Sequence, residues 1–313
     1  MTLIPFIHQL EPDESRKWLK ILQEKMPGYR ILEVQDCSDD ERRKARVAIV
    51  ANPDPEEVRL LPALEWVHSL WAGVEALLLS LEDHPLKIVR LKDQNLAQVM
   101  SEAVLAWVLY LHREMPAYGQ QQKQRVWHQI RYRSASQCRV LVLGLGELGL
   151  TSVLRLTQNG FEVSGWSRNP KQVPGVKCYA GPEALKEAVK QADILVNLLP
   201  LTPQTNGLIN KALLSALPKD ASLINFGRGA TVKTDDLLET LDAGGLKHAV
   251  LDVFETEPLP ESSPLWNHEE VTVLPHISAP TDYDTASDIV SQNIHDFFQK
   301  GIIPECVDKQ RGY

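Results

Sequence analysis

Two doubly wound α/β units are predicted, on three observations. Short apolar runs alternate with amphipathic stretches from Leu3 to about Leu91, the alternation resumes from Val140 to Leu274 through six strand-like runs, and the second series opens with Gly144-Leu145-Gly146-Glu147-Leu148-Gly149. Strand-length apolar runs separated by helix-period segments are the pattern of parallel strands joined by crossover helices. The glycine segment is the most specific of the three. An apolar run, Val140–Leu143, leads into it and amphipathic Leu150–Gln158 follows. The first glycine lets the chain turn sharply, the second lets a pyrophosphate approach the backbone, and the third lets helix pack on strand. The N–H groups at the helix start then face the phosphates. Three glycines alone are a weak signal; the flanking strand and helix make this one informative. Gly144, Gly146, Glu147, Leu148 and Gly149 are therefore expected at a dinucleotide in a Rossmann-type sheet.

Composition narrows the class. The chain has 313 residues, 43% hydrophobic and 24% charged, enough for two ordinary domains with a buried core. No apolar run reaches membrane-spanning length, and Met1–His8 lacks a basic flank followed by a signal-like core, so the cytoplasm is the expected compartment. Cys37, Cys138, Cys178 and Cys306 lack metal or disulfide spacing and read as reduced thiols; no metal site is expected. A formal charge of −8 without a sustained Lys/Arg run argues against nucleic acid, and Arg42-Arg43-Lys44 beside Asp39-Asp40-Glu41 reads as a solvated helix face.

In the first series, strands are predicted at Leu3–Ile7, Arg30–Val34, Arg46–Ala51, Leu64–Leu70 and Lys87–Leu91, with a helix at Glu14–Lys25. No second glycine fingerprint occurs there, which makes this unit the substrate holder. Its Trp71-Ala72-Gly73-Val74-Glu75 loop, between a strand and helical Ala76–Leu81, places backbone amides where a carboxylate could sit; taken alone, an ordinary tight turn is the plainer reading. Asn95 to about Gln122 reads as one long helix, apolar around much of its circumference, crossing between units and offering a subunit contact; burial within the monomer is the competing account. Arg125 to Ser136 reads as an exposed arm.

After the glycine turn, strands are predicted at Phe161–Trp166, Ile194–Leu199, Ser222–Asn225, Ala249–Val253 and Val271–Leu274, with helices at Glu183–Val189, Lys211–Ala216 and Thr234–Asp242. Asp284–Lys300 reads as a closing helix, and the tail Ile302–Tyr313 as returning to the first unit. The expected boundaries are 1–97 with 284–313 for the substrate-binding unit and 98–283 for the dinucleotide unit.

The end of the second dinucleotide-unit strand bears on the choice of dinucleotide. An NAD site usually has an acidic residue there for the ribose 2′-OH. Here the sequence is Trp166-Ser167-Arg168-Asn169-Pro170-Lys171, and the nearest acid, Glu162, lies about 13 Å back along the strand at roughly 3.3 Å per residue. Ser167, Arg168 and Lys171 suit a 2′-phosphate, so NADP is expected. The bland alternative is an Arg168 that stacks on adenine or faces solvent.

Three strand ends carry the chemistry: Asn225-Phe226-Gly227-Arg228-Gly229, Asp252-Val253-Phe254-Glu255-Thr256-Glu257-Pro258 and Pro275-His276-Ile277-Ser278. An arginine offers a planar fork for a carboxylate and a carbonyl oxygen, a histidine supplies the proton that accompanies hydride transfer, and a carboxylate holds that histidine. Together they are the minimum for reducing a 2-oxo acid. Singly, each has an ordinary structural reading.

These residues, with Trp71–Glu75, Gly144–Gly149 and Leu198-Leu199-Pro200-x-Thr202-Pro203-x-Thr205, occur in an order that resembles the D-isomer-specific 2-hydroxyacid dehydrogenases over nearly the whole length. Within that family the Trp-Ser-Arg strand end, the short first unit and the Val307-Asp308…Arg311-Gly312-Tyr313 ending are similar to the glyoxylate/hydroxypyruvate reductase A group. The resemblance implies a flavodoxin-like substrate domain into which the Rossmann domain is inserted, and an NADPH-dependent reductase of glyoxylate and hydroxypyruvate. It implies Arg228 at the substrate carboxylate and keto oxygen, His276 as proton donor, and Glu257 as its partner, favouring the imidazolium. Asp252 and the Phe226 carbonyl would hold the nicotinamide carboxamide, with Leu199, Pro200, Thr205 and Ser278 also at the cofactor. Backbone groups of Trp71, Ala72 and Gly73 would take the carboxylate, and Trp127 would reach into the neighbouring active site of a homodimer. Two departures bear on substrate fit: Glu75 where many relatives have Asp, and Pro280 where glycine is common; neither removes a catalytic group.

A dinucleotide-sensing binding protein, such as the corepressors built on this scaffold, is the rival from another class, because fold alone does not set function. A dehydrogenase for another 2-hydroxy acid is the nearer rival. Arg228, Glu257 and His276 together favour an enzyme.

Overall fold

Strand-forming runs buried on both faces decide the architecture. The computed structural model describes residues 1–309. The chain divides into two units, Met1–Asn95 with the segment from Thr281 onward, and Leu96–Pro280. The ends of the predicted tail, residues 310–313, lie outside the described residues.

The first unit contains β1 (Thr2–His8), β2 (Tyr29–Glu33), β3 (Val47–Ala51), β4 (Trp66–Ser69) and β5 (Lys87–Val89), all parallel, in the order β2-β1-β3-β4-β5. This is the flavodoxin-like order. Residue alternation sends Ile4 and Phe6 of β1, Val47, Ile49 and Ala51 of β3 and Trp66 of β4 into one core cluster, while Ile7, Ala48, Val50 and Val67 enter another. The first cluster is closed by the helix Tyr283–Lys300, whose Ala286, Val290, Ile294 and Phe297 are buried. That helix starts on Asp282, whose side chain accepts from the Thr285 N–H, and stops at left-handed Gly301. Beyond it the tail returns to the same unit: the Val307 N–H donates to the Ile88 carbonyl, and Lys309 Nζ reaches the carbonyls of Leu81 and His84.

The second unit contains β6 (Arg139–Leu143), β7 (Glu162–Ser167), β8 (Lys177–Ala180), β9 (Ile194–Asn197), β10 (Ser222–Asn225), β11 (His248–Leu251) and β12 (Val271–Val273), parallel throughout, in the order β12-β11-β10-β9-β6-β7-β8. Order reverses beside β6, which is the doubly wound Rossmann arrangement with its switch point at the glycine turn. Leu141, Leu143, Leu195, Leu223 and Leu251 face one core; Val140, Val142, Val196, Ile224 and Val250 face the other. The fold class read from the sequence is the fold observed.

Two local expectations are corrected. The sheet has seven strands, not six, because Lys177–Ala180 pairs with β7 at the edge. It is short and only partly buried, so it lacks the apolar run that marks the central strands. The long helix is two helices, Gln94–His112 and Met115–Gln124. Glu114 adopts φ 60° and Pro116 stands in the next first turn, so the chain breaks where a left-handed residue and a proline meet. Among the described residues no helix is long and apolar enough to cross a membrane.

Candidate active site

The carboxyl ends of the second sheet are kept in step by one further hydrogen bond beyond each strand. The N–H groups of Gly144, Leu198, Phe226, Asp252 and Leu274 donate to the carbonyls of Trp166, Leu143, Asn197, Asn225 and Leu251, at 2.8 to 3.1 Å. The loops carrying the predicted residues therefore leave the sheet along a common rim, where open α/β sheets bind ligands.

At the glycine turn each glycine has a separate physical reason. Gly144 has φ 97° and a Cβ there would lie 2.9 Å from the Leu198 carbonyl oxygen; a Cβ at Gly149 would lie 1.7 Å from the Gly144 oxygen. A side chain at Gly149 would push the helix Glu147–Gln158 off the turn, and one at Gly144 would press on the backbone after β9. Gly146, the residue before that helix, would place a Cβ with nothing within 4 Å, so it leaves open approach to the first-turn N–H groups of Glu147, Leu148 and Gly149. Ser278 Oγ, buried at the same strand-end rim, has no hydrogen-bond partner. An open helix start and an orphaned buried hydroxyl fit a dinucleotide.

At the end of β7, Ser167 is buried and its hydroxyl donates to the Asn169 carbonyl at 2.8 Å, which shapes the turn that exposes Arg168. Lys171 Nζ lies 2.6 Å from the Leu145 carbonyl, so this ammonium reaches back to the glycine turn. The turn after β9 is held by Thr205, whose hydroxyl donates to the Pro200 carbonyl at 2.6 Å and accepts from the Thr202 N–H at 2.8 Å. Leu199 and Phe226 are buried, at the ends of neighbouring strands.

Arg228 follows β10 in extended conformation, half-buried, with Nη1 donating to the Gly227 carbonyl at 2.8 Å. The loop must pass close to others: a Cβ at Gly227 would lie 2.6 Å from the Leu199 oxygen, and one at Gly229 1.9 Å from the Phe254 carbonyl carbon. Two glycines thus bring the Arg228 loop against both neighbouring strand-end loops.

Glu257 and His276 come together from different loops. One Glu257 oxygen accepts from the Phe254 N–H at 2.8 Å, and the other lies 2.8 Å from His276 Nδ1. The carboxylate is therefore oriented by its own loop before it meets the ring, which leaves Nε2 as the ring atom turned from the pair. His276 itself adopts φ 54°, unusual for a non-glycine residue. Buried Asp252 holds that conformation, its two oxygens accepting the Ile277 and Ser278 N–H groups at 2.7 and 2.9 Å. Such charge-assisted bonds are strong in a buried setting.

Other predicted residues stand elsewhere. Trp71, Ala72 and Gly73 belong to the first unit: the Trp71 N–H donates to Ser69 Oγ, its carbonyl accepts from the Leu91 N–H, each at 3.0 Å, and its ring meets Trp18 edge-on. Trp127 is on the arm after Met115–Gln124 and is 97% exposed. The Val126 N–H and the His128 N–H both donate to Gln121, through its carbonyl and side chain, so the base of the arm is fixed.

The sequence reading missed Asn197 and Thr231. Both are fully buried and lie in a network under the Arg228 loop. A polar residue interrupting the apolar Ile194–Leu199 run was the available signal for Asn197; nothing local marked Thr231.

Comparison with known proteins follows the same lines. Residues 105–278 match the family described as D-isomer specific 2-hydroxyacid dehydrogenase, NAD binding domain. The chain is 38% identical to a glyoxylate/hydroxypyruvate reductase A of Yersinia enterocolitica, over 96% of this chain and 97% of that protein, and 37% identical to one from Serratia proteamaculans, over 90% of each. Among solved structures it is similar to a D-isomer specific 2-hydroxyacid dehydrogenase from Xanthobacter autotrophicus in complex with NADPH, at TM-score 0.92 and 36% identity, and to an NADPH-dependent glyoxylate/hydroxypyruvate reductase from Sinorhizobium meliloti in complex with NADP, at TM-score 0.91 and 32% identity; each comparison covers 100% of both chains. The glycine turn, the Arg228 loop and the Glu257–His276 pair thus stand in a chain that belongs to the D-isomer-specific 2-hydroxyacid dehydrogenase family.

Proposed function

We propose that the chain reduces small 2-oxo acids with NADPH, glyoxylate to glycolate and hydroxypyruvate to glycerate. The observation that carries this reading is the 2.8 Å approach of Glu257 to His276 Nδ1, which supports it by leaving Nε2 as the ring nitrogen not engaged by the carboxylate. When bound, NADPH would supply the hydride that C2 of the oxo acid accepts. The carbonyl π electrons move to oxygen, and His276 Nε2 gives that oxygen its proton, later regained from solvent. Glu257 keeps the ring oriented and balances its positive charge. Arg228 pairs with the carboxylate and draws electron density from the keto group. Asp252 holds His276 in place and, with the Phe226 carbonyl and Ser278, faces the nicotinamide end; Leu199, Pro200 and Thr205 line the adjoining turn.

In this reading the segment 98–283 is the NADP domain, and 1–97 with 284–313 is the substrate domain, where backbone groups of Trp71, Ala72 and Gly73 take the carboxylate. Ser167, Arg168 and Lys171 hold the 2′-phosphate. The protein acts as a homodimer, supported by the nearly full exposure of Trp127 beside Val126 and Tyr132, 48% and 64% exposed. The reading places it in the cytoplasm, where its four unbridged cysteines stay reduced.

The test is loss of NADPH absorbance with glyoxylate, hydroxypyruvate and pyruvate in parallel, repeated with NADH. Turnover of the first two with NADPH is expected. Tight NADPH binding without turnover of any 2-oxo acid would instead favour a dinucleotide sensor, and faster turnover with NADH would overturn the assignment of Arg168.

A further inference from the structure

Beneath the Arg228 loop, Asn197 at the end of β9, Asn225 at the end of β10 and Thr231 just after the loop are all 0 to 1% exposed. Backbone donors fix which way their side chains point. The Leu199 N–H donates to Asn197 Oδ1 at 3.3 Å, and the Gly227 N–H to Asn225 Oδ1 at 3.3 Å. A backbone N–H is only a donor, so both amide orientations follow without choice. Asn197 Nδ2 must then be the donor in its 2.8 Å contact with Asn225 Oδ1 and its 2.7 Å contact with Thr231 Oγ1. Thr231 has one hydroxyl hydrogen, and it goes to the Arg228 carbonyl at 2.5 Å. The same carbonyl accepts from Asn225 Nδ2 at 3.3 Å.

We propose that Asn197 is a positioning residue for Arg228, acting through Thr231 and Asn225 and setting the Arg228 loop in register with the turn at Leu199. The inference rests on the reading of Arg228 as the substrate-carboxylate ligand. Each side-chain donor points one way, from Asn197 to Thr231 to the Arg228 carbonyl, and reinforces the bond that the Thr231 N–H makes to the same carbonyl at 3.2 Å. Asn197 also accepts from the Leu199 N–H, which ties the loop after β9 to the loop after β10. A guanidinium that must meet a small anion gains from such a fixed base, because a displacement of about 1 Å at a reacting group can change rate roughly a hundredfold.

Thr231→Val keeps the side-chain shape and removes the hydroxyl; Thr231→Ser keeps the hydroxyl. Asn197→Asp keeps shape and acceptor but removes both donors. For Thr231→Val and Asn197→Asp the expected result is a KM for glyoxylate raised about tenfold or more, NADPH affinity within about twofold of wild type, and recovery in Thr231→Ser. Amide hydrogen exchange at Gly227 to Ala230, measured without substrate, should quicken in the first two variants and not in the third. Unchanged KM and unchanged exchange in both would overturn the proposal, as would equal weakening of NADPH binding, which marks general loss of structure. If the wild-type protein turns over no 2-oxo acid, the reading of the reaction fails; the positioning role is then decided by exchange alone, and unchanged exchange overturns it.

Discussion

Glu257 meets two groups at once, and its removal separates orientation from binding. Glu257→Ala frees both the Phe254 N–H and His276 Nδ1. With Arg228 untouched, kcat should fall about a hundredfold while KM for the 2-oxo acid stays within a few-fold, since general acid catalysis of this kind is worth roughly 10² to 10⁴. Steady-state kinetics giving a kcat near wild type would remove Glu257 from the mechanism. Arg168 is tested by its selectivity. A charge-assisted contact to a phosphate contributes about 1.5 to 3 kcal/mol, so Arg168→Ala should lower kcat/KM with NADPH about tenfold or more and leave NADH nearly unchanged. Equal loss with both cofactors would mean that Arg168 does not touch the 2′-phosphate. These residues stood out as candidates in the sequence, and their proposed roles were stated there, because each type has few chemical uses at a strand end. Asn197 and Thr231 were not, since a buried amide or hydroxyl acquires its role only from partners distant in sequence.

At the level of the element, the strand, turn and helix from Arg139 to Gln158 make two glycines fail differently. An alanine at Gly149 would place its methyl 1.7 Å from the Gly144 oxygen, whereas one at Gly146 meets nothing within 4 Å. Gly149→Ala should destabilise the fold by about 1 to 3 kcal/mol as an overpacked contact, and weaken NADPH binding as well. Gly146→Ala should leave the melting temperature almost unchanged and weaken NADPH binding alone, because the methyl would stand in the open approach proposed for the phosphates. Thermal melts and NADPH titrations of both proteins decide it; the same loss of stability in the two would contradict the assigned geometry. The central strands were readable because residues buried on both faces form plain apolar runs. Edge strand β8 and the break at Glu114 were not, since edge pairing and a single left-handed residue leave little trace in local pattern.

For the whole molecule, two buried histidines couple folding to pH. His68 of β4 is pushed down to about 4 by burial; its Nδ1 meets the Ser69 carbonyl and its Nε2 meets Asn293 Nδ2 of the last helix, each at 2.9 Å. His248 of β11 is likewise pushed down to about 4, by burial first and by His268 second. Above the ordinary value of 6.5 neither folded nor unfolded chain holds these protons, so nothing is lost. As pH falls from 6.5 to about 4 the unfolded chain takes them up and the fold does not, so stability falls through that window and levels off below it. Each histidine accounts for about 3 kcal/mol at the lower end. Urea unfolding across the window should show this decline, with a shallower slope in His248→Gln. A slope unchanged by that substitution would show that His248 is not held neutral.

By itself the sequence determined the α/β class, the glycine turn and the kinds of residue at each strand end, because periodicity and the backbone needs of glycine are local properties. The resemblance had already implied that Glu257 partners His276, and the tertiary structure brings the two together across two loops; it alone decided that Asp252 lies under the His276 backbone and Asn197 under Arg228. Those contacts join residues 19 to 34 positions apart, and their partners are selected by strand order and by which buried donors still need an acceptor, neither of which is written in any one segment.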